Sequence, residues 1–263
     1  MSSETAIKPI RLAILEADTP IPSIAAKWES YGQVFKDLFQ RACDSLDPPA
    51  SLESQLDITS HLVVYVDGHR PSSSDLYPDL ENIDAILITG SKHNAYENPE
   101  WIKELVDYTK RCLDSHHVRV VGVCFGHQIV ARALGVEVGQ NERGWELSVV
   151  QCELTDEGKE IFGLEKMSIQ QMHRDIVLSS PPKGIKQLAS TETCSNQSMY
   201  QAKRLITVQG HPEFTAEITS EILKARRLAN AIPEGLFQDG MGRATGSHDG
   251  VAIARAFLKF LRE

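Results

Sequence analysis

The sequence contains no uninterrupted apolar stretch of about 18 residues, the length at which a membrane span is considered. Its amino terminus, MSSETAIKPIRLAILEAD, also lacks an apolar segment of signal-peptide length before its first charged residues. The sequence therefore predicts a protein that neither spans a membrane nor carries a secretion signal, and no membrane partner is expected.

Basic residues are scarce relative to acidic ones. The chain has 27 lysine and arginine residues against 36 aspartate and glutamate residues, which gives a net charge of −9 and a pI near 5.5. Binding to nucleic-acid phosphates requires a basic surface, so no nucleic-acid partner is expected. Apolar residues make up 41% of the chain and charged residues 24%, which is an ordinary globular composition.

Internal repeats, low-complexity tracts and a recognisable interdomain linker are also absent from the 263-residue sequence. A chain of this length can bury a substantial core. We predict a single domain over residues 1–263, with its core at about 10–229 and a C-terminal loop and helix at 230–263.

Paired cysteines are missing as well. The five cysteines are odd in number, widely spaced and without a C-x-x-C pair: Cys43, Cys112, Cys124, Cys152 and Cys194. This spacing disfavours both a disulfide framework and a structural zinc site, so no metal is predicted. Reduced thiols indicate a cytoplasmic location, with the nucleus as an alternative.

Strand and helix patterns alternate through the first half of the chain. Apolar runs predict strands at 10–18, at 61–67, from 84 and at 118–123, and helical spacing predicts helices at 23–43, at 99–115 and from Cys124 to a left-handed end at Gly135. The segment 44–57, rich in Pro, Ser and Asp, is predicted to be a surface connection. Such alternation is typical of an α/β fold with a largely parallel sheet flanked by helices.

The second half predicts consecutive strands, which indicate antiparallel additions and hence a mixed sheet. The pattern predicts a strand at 146–154, a short helix at 155–163, further strands within 187–195 and 198–214, and helices at about 215–229 and 250–262. The intervening glycine-rich segment 230–249, NAIPEGLFQDGMGRATGSHD, is predicted to be a mobile loop.

A cysteine stands at an abrupt change from strand to helix pattern, in GVCFG (122–126). A sharp strand-to-helix turn crowds its neighbours, so it needs small residues on both sides of the apex, as in the nucleophile elbow of α/β-hydrolases. This geometry would project Cys124 above the carboxyl edge of the sheet, beside a helix amino terminus that favours thiolate. The pattern alone leaves a buried packing cysteine open as an alternative.

A histidine follows a later apolar strand in RLITVQGHPEF (204–214). A thiol nucleophile needs a base, and the base needs an orienting group. His211 leaves its strand at the same kind of edge as Cys124, and Glu213 could hold the second ring nitrogen. The conjunction favours a catalytic cysteine over a packing one.

The two motifs together resemble the class I (triad) glutamine amidotransferases, whose nucleophile motif has the form G-x-C-x-G-x-Q and is followed by H-P-E. GVCFGHQ (122–128) and GHPEF (210–214) match in that order, with His211 87 positions after Cys124. The resemblance extends from the first strand to about residue 229. It implies a flavodoxin-like α/β fold, with Cys124 as nucleophile, His211 as general base and then acid, and Glu213 orienting His211.

The resemblance also implies a set of substrate-binding groups. Gln128 matches a position that contacts bound glutamine, and backbone N–H groups of Gly90 and Ser91, with that of Phe125, would meet the oxyanion. In this loop the sequence has G-S-K where the family commonly has G-G-P. Trp145 and Glu146 lie in RGWELS, the stretch that in relatives contacts the amino-acid end of the substrate, and MHRD (172–175) resembles another loop beside the site.

The implied activity is hydrolysis of the γ-amide of glutamine through a cysteine-linked γ-glutamyl thioester, without a cofactor. The alternative is a γ-glutamyl peptidase that acts on glutathione or its conjugates with the same triad. A binding protein that lost the chemistry and an acyltransferase acting on homoserine are further alternatives. The sequence has no Walker-type loop and no G-x-G-x-x-G after a strand, so a synthetase or acceptor enzyme that uses the ammonia would be a separate protein.

Overall fold

A computed structural model describes residues 8–66, 68–71 and 76–263. The strands in these residues are β1 (Ile10–Glu16), β2 (Leu56–Leu62), β3 (Ala85–Ile88), β4 (Arg119–Val123), β5 (Val138–Gln140), β6 (Glu146–Leu154), β7 (Lys166–His173), β8 (Asp175–Val177), β9 (Lys186–Ser190), β10 (Ser198–Gln201) and β11 (Leu205–Val208). The helices are α1 (Pro22–Trp28), α2 (Tyr31–Asp44), α3 (Leu52–Gln55), α4 (Glu100–Ser115), α5 (Phe125–Ala133), α6 (Asp156–Phe162), α7 (Ala216–Leu228), α8 (Glu234–Arg243) and α9 (Gly250–Phe260).

The central sheet of the described residues has nine strands in the order β2-β1-β3-β4-β11-β10-β9-β6-β7. Strands β2, β1, β3, β4 and β11 run parallel, and the pairings from β11 to β7 are antiparallel. Strands β5 and β8 pair separately as a small antiparallel sheet. The predicted α/β fold with a mixed central sheet flanked by helices is confirmed.

Helices cover both faces of the parallel half, which is why its strands read as continuous apolar runs. Successive residues of β1 point to opposite faces. Ile14 belongs to the same buried cluster as Phe35 of α2, whereas Leu15 belongs to the cluster that contains Leu105 of α4. Both faces of β1 are therefore packed against buried apolar side chains.

The predicted helix over 23–43 is wrong, because the chain breaks it into α1 and α2. Glu29 has a left-handed φ of 61°, and the Ser30 side chain accepts a hydrogen bond from the Gln33 N–H as the N-cap of α2. The predicted left-handed helix end at Gly135 is confirmed, with φ 77°.

The second predicted strand, 61–67, is displaced toward the N-terminus. Strand β2 begins at Leu56, opposite Ile10 of β1, within the predicted surface connection 44–57. As an edge strand it carries exposed polar residues, and this weakens its apolar signal. Asp67, the last residue of the predicted strand, lies outside the described residues.

The predicted mobile loop at 230–249 is also wrong over much of its length, since α8 occupies Glu234–Arg243. The Ser148 hydroxyl of β6 donates to the Gly240 carbonyl at 2.6 Å, and Gly240 lies against Leu223 of α7. Tertiary packing therefore holds a helix that glycine-rich composition disfavours. Strands β5, β7 and β8 were not predicted. Among the described residues, no helix combines the length and apolar character needed to cross a bilayer.

Candidate active site

Cys124 occupies the turn between β4 and α5, with φ 52° and ψ −106°. The turn is possible because the residues two positions before and two positions after Cys124 are glycines. A Cβ at Gly126 would lie 2.2 Å from the Ile88 carbonyl oxygen, and a Cβ at Gly122 would lie 2.7 Å from the Gly126 oxygen. The two glycines thus let the helix start against the sheet edge, as the motif predicts.

The His211 imidazole is held on several sides by its neighbours. Its Nδ1 lies 2.8 Å from the Glu213 Oε1, and its ring stacks on Phe214 with centroids 3.9 Å apart. The same ring is near enough to Cys124 for a negative charge on the sulfur to raise the pKa of His211. Because Glu213 occupies Nδ1, the nitrogen that faces the sulfur is Nε2. The backbone N–H of His211 donates to the Gln170 carbonyl at 2.7 Å, which fixes the chain after β11.

The charges around His211 favour its protonated form. Burial lowers the pKa of His211, but the negative charges of Cys124 and Glu213 and the hydrogen bonds to them raise it to about 10 overall. The other four cysteines behave differently, since burial raises the pKa of Cys112 and Cys194 to about 12 and also raises the pKa of Cys43 and Cys152. Cys124 is thus the one cysteine whose charge is coupled to the His211 imidazole.

Brief treatment of the native protein with iodoacetamide is expected to modify Cys124 before any other cysteine. Cys124 is 5% exposed and lines a cavity, whereas the other four thiols are 0% exposed and are kept protonated by burial. Peptide mass spectrometry after graded labelling measures the five rates. Equal labelling of all five in the folded protein would contradict the assignment, and the unfolded protein provides the reference in which all five react.

The loop after β3 approaches His211 very closely at Gly90. A Cβ at Gly90 would lie 2.6 Å from the His211 Cε1, which is too short for any real contact. The same loop is anchored by Asp18, whose Oδ2 accepts from the Lys92 N–H at 2.7 Å and whose Oδ1 pairs with the Lys92 Nζ at 3.0 Å. Asp18 therefore fixes the backbone from which the predicted oxyanion donors Gly90 and Ser91 project.

Gly90→Ala is expected to lower kcat by about 10²-fold. The new methyl group would collide with the His211 ring and displace this predicted general base by about 1 Å. The imidazole cannot move freely, since Phe214 stacks on it and Glu213 holds Nδ1. Gly235→Ala is the matched control, because a Cβ there meets nothing within 4 Å. Full activity of Gly90→Ala at unchanged thermal stability would show that this close approach is not needed.

Two adjoining cavities share part of their lining, and one contains Cys124 while the other contains His211. The Cys124 cavity has a volume of about 160 Å³ and is lined by residues that include Cys124, Phe125, Gln128, Trp145, Arg174 and Asp175. The His211 cavity has a volume of about 220 Å³ and is lined by residues that include Gly90, His211, Glu213, Phe214, Ile222 and Ala225. Residues common to both are Ser91, Lys92, Met172 and Arg226. Cys124 and His211 therefore line different parts of one cleft.

Most of the predicted substrate-binding residues border this cleft. Gln128 and Trp145 line the Cys124 cavity, and the Gln128 Nε2 donates to the Asp175 carbonyl at 2.7 Å. Phe125 is the first residue of α5, so its N–H has no partner within the helix and is free to meet an oxyanion. These roles stay predictions, because no substrate is present.

Glu146 lies apart from both cavities, although it was predicted to contact the substrate. One of its oxygens is 2.9 Å from the His173 Nε2, and the carboxylate also accepts from Thr191, Thr193 and Gln197. Burial raises the pKa of Glu146, but His173 and the threonine hydroxyls lower it to about 2 overall. The buried Glu146 carboxylate is thus fully engaged with neighbouring strands and loops.

Several cleft residues were not named individually among the predicted substrate-binding residues. The guanidinium groups of Arg174 and Arg226 flank the Trp145 ring at 5.6 and 5.4 Å. The Asp175 Oδ1 is buried and has no hydrogen-bond partner among the described residues, and burial raises the pKa of this carboxyl group. Arg174 and Asp175 belong to the MHRD stretch, whose resemblance pointed to the site, whereas Arg226 comes from a surface helix that carried no signal. Among residues 8–66, 68–71 and 76–263, no cluster of His, Cys, Asp and Glu is arranged to hold a metal ion.

Comparisons with known proteins agree with the resemblance. A family model described as glutamine amidotransferase class-I matches residues 52–228. A glutamine amidotransferase-like protein of Schizosaccharomyces pombe is 36% identical over 253 residues, covering 96% of this chain and 98% of that protein. Gamma-glutamyl peptidase 2 of Arabidopsis thaliana is 33% identical over 162 residues, covering 60% of this chain and 63% of that protein.

The fold agrees with a solved structure over nearly the whole chain. The crystal structure of a glutamine amidotransferase from Thermotoga maritima matches with a TM-score of 0.68 at 17% identity, covering 97% of this chain and 99% of that one. At this identity the similarity shows only that the fold is shared. The family assignment rests on the family model and on the relative from Schizosaccharomyces pombe. The chain belongs to the class I glutamine amidotransferase family.

Proposed function

We propose that the protein hydrolyses the amide bond of γ-glutamyl compounds, glutamine among them, through a thioester on Cys124. The observation that carries the proposal is the grouping of Cys124, His211 and Glu213 at the carboxyl edge of the sheet, where Glu213 is hydrogen-bonded to the His211 ring and the charge of Cys124 acts on that ring. Glu146 and His173 form a similar buried carboxylate–imidazole pair, and what distinguishes the His211–Glu213 pair is the thiol of Cys124 beside its imidazole.

The chemistry proceeds in two halves. The Cys124 thiolate attacks the γ-carbonyl carbon, the N–H groups at Gly90, Ser91 and Phe125 stabilise the oxyanion, and the protonated His211 gives its Nε2 proton to the departing nitrogen. The C–N bond breaks and leaves the γ-glutamyl thioester. Water then attacks the thioester, His211 Nε2 accepts one of its protons, the C–S bond breaks and the thiolate is restored with glutamate released.

The Cys124 cavity has the groups needed to hold the α-amino and α-carboxylate ends of the glutamyl unit. The unpartnered Oδ1 of Asp175 can accept a hydrogen bond from the α-ammonium group, which would compensate its burial. The Arg174 guanidinium on the same wall is suited to the α-carboxylate. Gln128, hydrogen-bonded to the Asp175 backbone, would keep this wall in place and contact the substrate.

Glutamine and a γ-glutamyl peptide are alternative substrates of the same triad. The second is favoured by the His211 cavity, which offers space beyond the γ-amide, and by the similarity to a γ-glutamyl peptidase of Arabidopsis thaliana. If glutamine is the natural substrate, a separate synthetase or acceptor enzyme would take up the ammonia.

An assay of the purified protein on glutamine and on glutathione tests the proposal. Glutamate should appear together with ammonia from the first substrate or with Cys-Gly from the second, and intact-mass analysis of rapidly acid-quenched samples should detect a γ-glutamyl adduct on Cys124. No turnover of either compound and no adduct would refute it. The location of the adduct is established by peptide mapping.

A further inference from the structure

The general acid and the nucleophile of this cleft line different cavities, and this determines where each half of a substrate lies. A general acid must be within hydrogen-bond reach of the atom that it protonates, which here is the departing nitrogen. His211 lines the larger cavity, and Cys124 lines the smaller one that holds the glutamyl unit. The departing amine must therefore leave toward the His211 cavity.

We propose that the His211 cavity is a leaving-group site that selects γ-glutamyl amides of amino acids with apolar side chains, an inference that rests on the proposed γ-glutamyl hydrolysis. The cavity volume of about 220 Å³ is the first observation. Ammonia, the leaving group from glutamine, is about the size of a water molecule, which occupies roughly 30 Å³ in the liquid. The cavity thus provides several times the space that ammonia requires.

The walls of the His211 cavity give the second observation, because they are mostly apolar. Ile21 precedes α1, Met172 lies on β7, Phe214 stacks on the catalytic histidine, and Ile222 and Ala225 extend from α7. The charged groups of Asp18, Lys92 and Glu213 in the lining are already paired. A polar or charged side chain would therefore lose hydration there for few free partners, whereas an apolar one would be removed from water. The chemistry of these walls therefore favours an apolar side chain on the departing amino acid.

A cationic group at the junction of the cavities is the third observation. Arg226 of α7 borders both cavities, and its guanidinium makes no ion pair or side-chain hydrogen bond among the described residues. The other cation there, Lys92, is already paired with Asp18. Arg226 is thus the group available to the carboxylate of a departing amino acid, next to the cavity that takes its side chain.

The test compares γ-Glu-Phe, γ-Glu-Gly and glutamine as substrates of the full-length protein. For the wild type we expect kcat/KM for γ-Glu-Phe to exceed that for γ-Glu-Gly by about 10- to 100-fold, as burial of a phenyl ring provides. Ala225→Phe fills the cavity and should reduce this preference to within about threefold. Leu228→Phe is the matched control, because Leu228 lies on the same helix but is 85% exposed, and it should leave the preference unchanged.

Each outcome separates this inference from the proposed function. Equal kcat/KM for the two dipeptides in the wild type would overturn the leaving-group site even if a Cys124 thioester forms from all three substrates. The same would follow if Ala225→Phe, folded by circular dichroism, kept the full preference for γ-Glu-Phe. Absence of a thioester from every substrate would instead overturn the proposed hydrolysis itself.

Discussion

Replacing Cys124 with alanine is expected to lower kcat for γ-glutamyl hydrolysis by about 10⁴-fold or more, because the described lining of the cleft offers no second thiol for covalent catalysis. The variant should still bind substrate, since the Cys124 cavity keeps Gln128, Trp145 and Asp175. Steady-state kinetics together with substrate binding by calorimetry would therefore show a loss in kcat without a comparable loss in affinity. No adduct should appear in the intact-mass assay.

Cys43→Ala is the matched control for Cys124→Ala. Cys43 is also buried, but it lies on α2 within the core and burial raises the pKa of its thiol. Its replacement removes the same sulfur atom from the protein and should leave kcat within about twofold, provided that the melting temperature stays above the assay temperature. Wild-type activity in Cys124→Ala would instead show that Cys124 is not the nucleophile.

The positions of the proposed catalytic residues were predictable from the sequence because each lies in a short segment with its own local cause. The turn at Cys124 needs small neighbours, and Gly122 and Gly126 stand where side chains would strike the backbone of β3 or α5. His211 and Glu213 are two positions apart, so a single turn after β11 places the carboxylate against the ring. Such short-range requirements leave a visible pattern in the sequence.

Other parts of the cleft could not be predicted because long-range packing creates them. Arg226 reaches the cleft only because α7 packs beside the site after the sheet is complete. Glu146 was predicted together with its sequence neighbour Trp145, and no local signal showed that its carboxylate contacts His173 of β7. Helix α8 was predicted to be a mobile loop for the same reason, as its contact with Ser148 of β6 is invisible in its own composition.

The predicted oxyanion loop departs from the family motif at Lys92, and contacts with Asp18 replace the restraint that is lost. The family commonly has a proline after its two glycines, and a proline ring restrains the backbone. This chain has Lys92 at that position, and Asp18 binds both its backbone N–H and its ammonium group. The buried carboxylate of Asp18, which lies just after β1, thus restrains a loop that lacks the proline. The predicted donors Gly90 and Ser91 keep a fixed support without the proline.

Glu213→Gln is expected to lower kcat by about 10²- to 10⁴-fold, the range set by removing the carboxylate that orients a catalytic imidazole. The carboxylate accepts a hydrogen bond from the Nδ1–H group and so leaves Nε2 available to Cys124. An amide can also donate to Nδ1, and this would favour the tautomer in which Nε2 cannot take a proton. The thioester should still form, though slowly, because Glu213 does not attack the substrate. Single-turnover mass spectrometry measures that rate.

The same substitution should shift the pH dependence in a definite direction. Glu213 is one of the charges that raise the pKa of His211, so the pKa of His211 should fall when the charge is removed. Donation of a proton to the departing nitrogen requires the protonated imidazole, which is lost as pH rises through the His211 pKa. The alkaline limb of kcat/KM should therefore move to lower pH in Glu213→Gln.

Glu217→Gln provides the control, because Glu217 is an exposed residue of α7 whose carboxylate pairs with Lys27 on the surface. It removes the same charge four residues along the chain and should leave both kcat and the alkaline limb in place. An unchanged rate and an unchanged pH profile in Glu213→Gln would remove Glu213 from the triad. A lowered rate with no shift of the alkaline limb would mean that Glu213 orients the ring but does not govern its protonation.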